Sequence, residues 1–380
     1  MNLEDIRKSI DETDDQIKAL YLKRMELVKQ VADYKKTVDK AVNDPDREKK
    51  ILLRITENEP EEIQIYLKRV FEALFETSKA YQSTQVNKKS EVVDKIRNAL
   101  SQGAKDFPLR AKVACQGIEG AYSGIASERL FELADVTYFK NFDAVFAAVE
   151  SGFCRYGVLP IENSYAGSVN QVYDLMKEHK FYIVKSIRLP INHCLVVKKG
   201  VKIEDIKEIC SHEQALSQCK KYLEKFPNAK ITPCANTAVS AKFVSESDRM
   251  DVAAIASKES AERYGLKILE HGIQDVSGNY TRFILITKDF EIYKGAKKMS
   301  IMTTLSHTPG SLNKLLGKFA NLGINLTKLE SRPMVGSDFE FMFYFDFEGD
   351  VSKKPAQSLI AELDASTEQF TFLGAYDELV

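Results

Sequence analysis

LEDIRKSIDETDDQIKALYLKRMELVKQVADYKK, residues 3–36, decides how the chain begins to fold. Leu3, Ile6, Ile10, Ile17, Leu20, Leu27 and Val31 recur at the three-four alternation of a single helix stripe. No breaker follows until Asp44-Pro45, where Asp can cap a new helix and Pro can take its first turn. The spacing predicts a first helix of about 38 residues, roughly 57 Å long at 1.5 Å per residue. Its own small module cannot cover such a helix, and a second copy of the chain is the simplest cover. A second helix is expected to run to about Asn58, and a third from near Glu61 to about Val86.

Extending the stripes exposes an anomaly. Arg7 borders the first stripe, and the seam continues from Leu20 through Arg24 to Leu27, Val31 and Lys35. On the second helix Asp44 and Glu48 lead into Ile51 and Ile55, with Arg47 alongside. On the third, Val70, Phe71 and Leu74 are followed on the same face by Ser78 and Gln82. Buried charge without a partner costs several kcal/mol, so these groups must pair with each other or with a ligand. Arg7, Arg24, Lys35 and Arg47 outnumber Asp44 and Glu48, an excess suited to an anion with more than one carboxylate. The alternative is a coiled-coil dimeriser with snorkelling basic side chains.

Composition bounds the rest. Within 380 residues, Lys+Arg 54 against Asp+Glu 55 leaves a formal charge of -1, which argues against a general nucleic-acid or acidic-lipid surface. At ~150 residues per domain the length allows two or three domains. The start is too charged for a secretory signal, and no run approaches the ~18 apolar residues of a membrane span. The six cysteines never form CxxC and the histidines never form HExxH. A reduced, cytoplasmic, metal-free protein without a cofactor is expected. All 18 glycines lie at or beyond Gly103, so a purely helical module precedes something rich in turns.

Three resemblances give these patterns meaning. IRKSIDETDDQIKALYLKRMELVKQVADYKK, NDPDREK and FEALFETSKAYQ resemble the all-helical chorismate mutase family over roughly residues 1–86. The family's functional positions fall on Arg7, Arg24, Lys35, Asp44, Arg47, Glu48, Ser78 and Gln82. The resemblance implies rearrangement of chorismate to prephenate, by positioning and electrostatics alone. The arginines would hold the two carboxylates, Lys35 and Gln82 would donate to the breaking ether oxygen, and Glu48 would accept from the hydroxyl. It also implies sites shared by interlocked protomers, with Arg7 reaching over from the partner.

Residues 89–108 read as a linker containing one helix. From residue 109 to 290, strand-like segments alternate with helical ones, the signal of a two-lobed α/β domain with a cleft. GIEGAYS (117–123), LPIENSYAGSVN (159–170), SHEQALSQC (211–219) and NYTRF (279–283) together resemble the prephenate dehydratase family. Glu213 stands where the family carries proline. The resemblance implies loss of carbon dioxide and the ring hydroxyl from prephenate. Catalytic positions carry over to Asn163, Gln214 and Thr281, and substrate-binding positions to Glu162, Ser168, Thr237, Arg282 and Phe283. Taken singly, several of these residues also suit helix capping.

Residues 298–380 read strand, helix, strand, strand, helix, strand, an α+β ferredoxin-like order. The segment resembles an ACT domain, with Glu330, Ser331, Arg332 and Pro333 as one motif and Gly310, Ser311 and Leu312 as the other; Ser311 replaces the usual alanine. That implies L-phenylalanine as effector at a dimer interface. The whole is thus expected to be multidomain, with an all-α mutase module at residues 1–88, a dehydratase domain at 109–290 and a regulatory domain after 298. Its partners would be chorismate, prephenate, L-phenylalanine and a second copy of itself, with no nucleic acid or membrane. The rival reading is a non-catalytic amino-acid sensor.

Overall fold

The computed structural model describes residues 2–38, 44–85, 90–101, 103, 105–308, 310–334, 340–367 and 369–380. Three helices come first: α1 (Leu3–Val38), α2 (Pro45–Thr56) and α3 (Glu61–Gln85). Asp44 caps α2, its side chain accepting from Arg47 N at 3.1 Å, and Pro45 occupies the first turn. Asn58, at φ 65°, turns the chain toward α3. Both α1 and α2 pack on α3. Among the described residues of α1 only Val28 and Ala32 are buried, while Leu3, Ile6, Ile10, Ile17, Leu20, Leu27 and Val31 are all exposed in the single chain.

The helix α4 (Glu91–Ser101) links this module to the rest. Ser90 caps it, and the Ser90 hydroxyl donates to Asp364 Oδ2 at 2.7 Å. The first lobe follows as β1 (Arg110–Gln116), α5 (Tyr122–Leu130), β2 (Leu133–Phe139), α6 (Phe142–Glu150), β3 (Tyr156–Asn163), β4 (Gly167–Ser168), α7 (Asn170–Leu175) and β5 (Tyr182–Pro190). The chain then builds a second lobe. It comprises β6 (Cys194–Val197), β7 (Glu208–Ser211), α8 (Glu213–Gln218), α9 (Lys220–Leu223), β8 (Lys230–Pro233), α10 (Thr237–Glu246), β9 (Val252–Ala256), α11 (Lys258–Arg263) and β10 (Lys267–His271). Strand β11 (Tyr280–Thr287) returns to the first lobe between β5 and β3. Two crossings, at residues 191–193 and 272–279, therefore join the lobes.

The C-terminal module is β12 (Lys298–Thr304), α12 (Ser311–Asn321), β13 (Leu326–Pro333), β14 (Phe341–Glu348), α13 (Lys354–Ser366) and β15 (Phe370–Leu379). Its antiparallel order β13-β14-β12-β15 is the ferredoxin-like one. Its sheet is not separate. The register Asp377↔Lys185, Glu378↔Ser186 and Leu379↔Ile187 joins β15 to β5, producing a 10-stranded sheet that runs from β13 to β2. The two halves share one core, in which Leu159, Ile161, Ile284 and Ile286 meet Met302, Met342, Tyr344, Leu373 and Tyr376. The helices α12 and α13 also pack against α3.

Candidate functional sites

In the helical module one chain gathers part of the charged seam. Arg24 Nη1 donates to Leu74 O at 3.1 Å and to the Ser78 hydroxyl. Lys79, which the sequence reading passed over, reaches Glu48 Oε1 at 3.3 Å and Glu76 Oε1 at 2.7 Å. Burial opposes the Lys79 charge, but Glu76 and Glu48 outweigh it and raise its pKa. Gln82 is buried, and among the described residues its Oε1 has no hydrogen-bond partner. A buried amide oxygen left unpaired costs about 1–3 kcal/mol, which suits a position completed by a ligand. Lys35 is half-buried on α1, whereas Asp44 and Arg47 are exposed at the start of α2. Arg7 lies roughly 25 Å from Arg24 along the same helix, so the two cannot serve one small ligand within one chain.

The second site lies where β3 and β11 meet the crossings. Register pairs Thr281 with Asn163. Asn163 Oδ1 accepts from Tyr165 N at 3.0 Å and Ala166 N at 2.8 Å, which fixes the amide. Its Nδ2 then points at Asn279 Oδ1 (2.8 Å), Tyr280 O (3.2 Å) and Thr281 Oγ1 (2.9 Å). Because Thr281 Oγ1 accepts here, its own proton remains available to another acceptor.

From Asn163 the network continues through both crossings. Asn279 Nδ2 donates to Gln218 Oε1 at 3.1 Å, and that oxygen lies 2.9 Å from His193 Nε2. Because the Gln218 Oε1 can only accept, the His193 ring donates from Nε2, and among the described residues its buried Nδ1 has no partner. Burial lowers the His193 pKa despite the Gln218 bond, so the ring is held neutral. From the sequence Asn279 reads only as a turn residue, and neither Gln218 nor His193 stands out. The Asn immediately before TRF and the Gln one turn after Gln214 were the available signals.

The other expected positions divide. Gln214 sits half-buried in the first turn of α8, its backbone N donating to His212 Nδ1 at 3.3 Å. Glu213 occupies the helix start where a proline is usual, and an acidic residue also suits that end of a helix. Thr237 opens α10 after the Asn236 cap. Phe283 is buried in the first-lobe core with Val113, Val158 and Leu285. Glu162, Ser168 and Arg282, expected to bind substrate, bond to the C-terminal module. Lys328 Nζ donates to Glu162 Oε1 and Ser168 Oγ, both at 2.8 Å. Arg282 pairs with Asp346, both side chains buried. The reason is geometric: each neighbours Asn163 or Thr281 on a strand or lies opposite such a neighbour, and successive strand residues face opposite ways.

Two of the expected effector positions, Glu330 and Arg332, sit at the same junction. Glu330 Oε2 accepts from Ser168 Oγ at 2.5 Å, and Arg332 donates to both Asp174 oxygens at 3.1 and 2.9 Å. That fork holds the Asp174 carboxyl below its usual pKa. Ser331 is exposed and Pro333 ends β13. Gly310, at φ 85°, opens α12. The Ser311 hydroxyl meets Thr308 Oγ1 at 2.7 Å, and Leu312 packs on the module's core. Pro309 lies outside the described residues.

A family model described as prephenate dehydratase matches residues 113–291, and one described as chorismate mutase type II matches residues 6–83. A curated relative in Arabidopsis thaliana, arogenate dehydratase/prephenate dehydratase 1, chloroplastic, is 39% identical over 283 residues, covering 70% of this chain and 72% of that protein. The chain belongs to the prephenate dehydratase family. With the chorismate mutase domain ahead of it, it is a bifunctional enzyme that converts chorismate to prephenate and dehydrates and decarboxylates prephenate to phenylpyruvate. The solved prephenate dehydratase from Arthrobacter aurescens, in complex with L-Phe, is similar at 29% identity and TM-score 0.64, covering 70% of this chain and 90% of that one. A structure described as GqqA, a novel type of quorum quenching acylase, is similar at 30% identity and TM-score 0.64, covering 70% of this chain and 97% of that one. Among the described residues no helix is long and apolar enough to cross a membrane, and no His, Cys, Asp or Glu group is arranged to hold a metal.

Proposed function

We propose that the dehydration step is carried by Thr281 and Asn163. The supporting observation is the 2.9 Å bond from Asn163 Nδ2 to Thr281 Oγ1, which leaves the threonine proton free. Prephenate becomes aromatic as it loses carbon dioxide and its ring hydroxyl, so departure of that hydroxyl needs only a weak, well-placed donor. Thr281 Oγ1–H would give its proton to the ring hydroxyl, which leaves as water, while the electrons of the breaking ring–carboxylate bond move into the ring and carbon dioxide departs; solvent would then restore the threonine proton. Gln214 and Thr237, at helix starts of the second lobe, would meet the substrate from the opposite side of the cleft.

In the mutase domain (residues 1–88), Arg24, Lys35, Arg47 and Ser78 would hold chorismate with Arg7 of a second copy, while Asp44 fixes the start of α2. Lys35 and Gln82 would donate to the ether oxygen and Glu48 would accept from the hydroxyl. The exposed apolar stripe of α1 and the roughly 25 Å between Arg7 and Arg24 favour a homodimer. The linker spans residues 89–108 and the dehydratase domain residues 109–290. The ferredoxin-like module at 298–380 would be an ACT domain binding L-phenylalanine at residues 310–312 and 330–333. The L-Phe complex of the Arthrobacter relative supports that reading. The six free cysteines suit a reducing, cytoplasmic compartment.

Following chorismate to phenylpyruvate in one tube tests these roles. Lys35→Ala should leave chorismate unconverted yet still process added prephenate. Thr281→Val should accumulate prephenate, with dehydration slowed about 10²-fold or more. Wild-type dehydration in Thr281→Val would reject its role as donor. A dehydratase rate flat at millimolar phenylalanine would reject the effector reading.

A further inference from the structure

The row of residues beside the Asn163–Thr281 pair runs across four strands. Ser168 on β4 lies opposite Glu162 on β3, Glu162 opposite Arg282 on β11, and Arg282 opposite Arg188 on β5. Every member of this row meets a partner from the C-terminal module. Ser168 bonds Glu330 at 2.5 Å, Glu162 bonds Lys328 at 2.8 Å, Arg282 pairs with Asp346, and Arg188 bonds Glu378 at 2.7 Å. Lys328 and Asp346 are themselves register partners in β13 and β14. An acid–base cross-strand pair on the dehydratase half of the sheet is therefore met by a base–acid pair on its C-terminal half.

Burial makes this match consequential. The Arg282 and Asp346 side chains are only 8% and 10% exposed, and that of Lys328 13%. Burial opposes the Arg282 charge, yet Asp346 more than offsets it and raises the arginine pKa. Asp346 is held in turn by Ser300 Oγ at 2.5 Å, and Ser300 meets Tyr376 OH at 2.7 Å. Among the described residues Arg282 Nε has no hydrogen-bond partner, and Asp346 accepts from the guanidinium through Nη2. Buried ion pairs contribute little net stability, because desolvation consumes the Coulomb gain; what they supply here is a fixed position.

We propose that this charge-matched row holds the catalytic pair, making Lys328 and Asp346 positioning residues of the dehydratase. By gripping Glu162 and Arg282 they fix the adjoining residues, Asn163 and Thr281, on the opposite face. Displacement of a catalytic group by an ångström can cost about 10²-fold in rate. Glu330 belongs both to this row and to the effector segment, so effector occupancy would act on the same grip. That last step rests on the effector reading, whereas the positioning role is read without effector.

The full chain is assayed with prephenate, in the absence of phenylalanine, as Lys328→Met, Lys328→Arg and Asp346→Asn. Lys328→Met and Asp346→Asn should lower dehydratase kcat by about tenfold or more while KM stays within about twofold. Lys328→Arg should recover most of the loss. Chorismate mutase activity, measured in the same preparations, should be unchanged and reports a folded chain. If Asp346→Asn fails to fold, Lys328→Met decides. Wild-type kcat in the folded variants, or a raised KM at constant kcat, would overturn the proposal; the second outcome would make the row part of substrate binding.

Discussion

Gly374→Ala should separate the C-terminal module from the dehydratase sheet. Gly374 sits opposite Ser300, at the irregularity in the β12–β15 pairing that precedes the junction of β15 with β5. A Cβ there would lie 2.1 Å from Ile183 O and 3.0 Å from Ile183 C. Carbon–oxygen contacts of this kind settle near ~3.3 Å, so the two backbones must part by about 1 Å. Neither can yield by turning a side chain, which puts the overpacking cost near the upper end of about 1–3 kcal/mol. The backbone angle, φ 147°, adds about 1–3 kcal/mol for any residue with a Cβ. The sum, about 4–6 kcal/mol, is a large share of the ~5–15 kcal/mol that stabilises a domain. Melting of the dehydratase should fall by about 10 °C, at ~2–4 °C per kcal/mol, with dehydration lost and mutase activity kept. Gly272→Ala is the control, because it has φ 65° but nothing within 4 Å of its Cβ, and should cost only about 1 kcal/mol. If the two variants melt together, the close approach of β15 to β5 is not what holds the sheet closed.

Two other outcomes follow from buried polar groups. Gln82→Glu should leave a mutase that works only when acidified, since a buried carboxylate cannot donate to the ether oxygen until it is protonated; unchanged activity at neutral pH would remove Gln82 from the proposed site. His193 has a folded pKa depressed by burial, so its contribution to stability is complete above the unfolded value of ~6.5 and is lost as pH falls from there through the folded value. Urea midpoints measured from pH 7.5 to 5 should fall more steeply for the wild type than for His193→Asn, and parallel slopes would refute the buried neutral ring.

The helical module was legible because a stripe repeats over many turns, and its charged interruptions were visible against that regularity. Strand β6 was not: CLVV is buried at every position, so it shows no alternation that separates a strand from a loop. At the proposed dehydratase site the residue types of Asn163 and Thr281 could be read, but not their surroundings. Asn279, Gln218 and His193 meet across two chain crossings, at separations no local spacing encodes. Glu162 and Arg282 were within reach of a simpler rule. They adjoin Asn163 and Thr281 on strands, and the period of two directs neighbours to opposite faces.

The joined sheet also constrains how the protein is made. Strand β5 has β11 on one side and β15 on the other, and β15 is the last strand in chain order. During synthesis, at ~5–20 residues per second, the dehydratase sheet keeps an open edge at β5 until the segment around Asp377–Leu379 has emerged. An unpaired edge is a template for strands of other chains. The nascent dehydratase is therefore most exposed to misassembly in the interval between completing β11 and releasing β15. A chain shortened before Gly374 would carry that hazard permanently, as an aggregation-prone protein rather than an unregulated one.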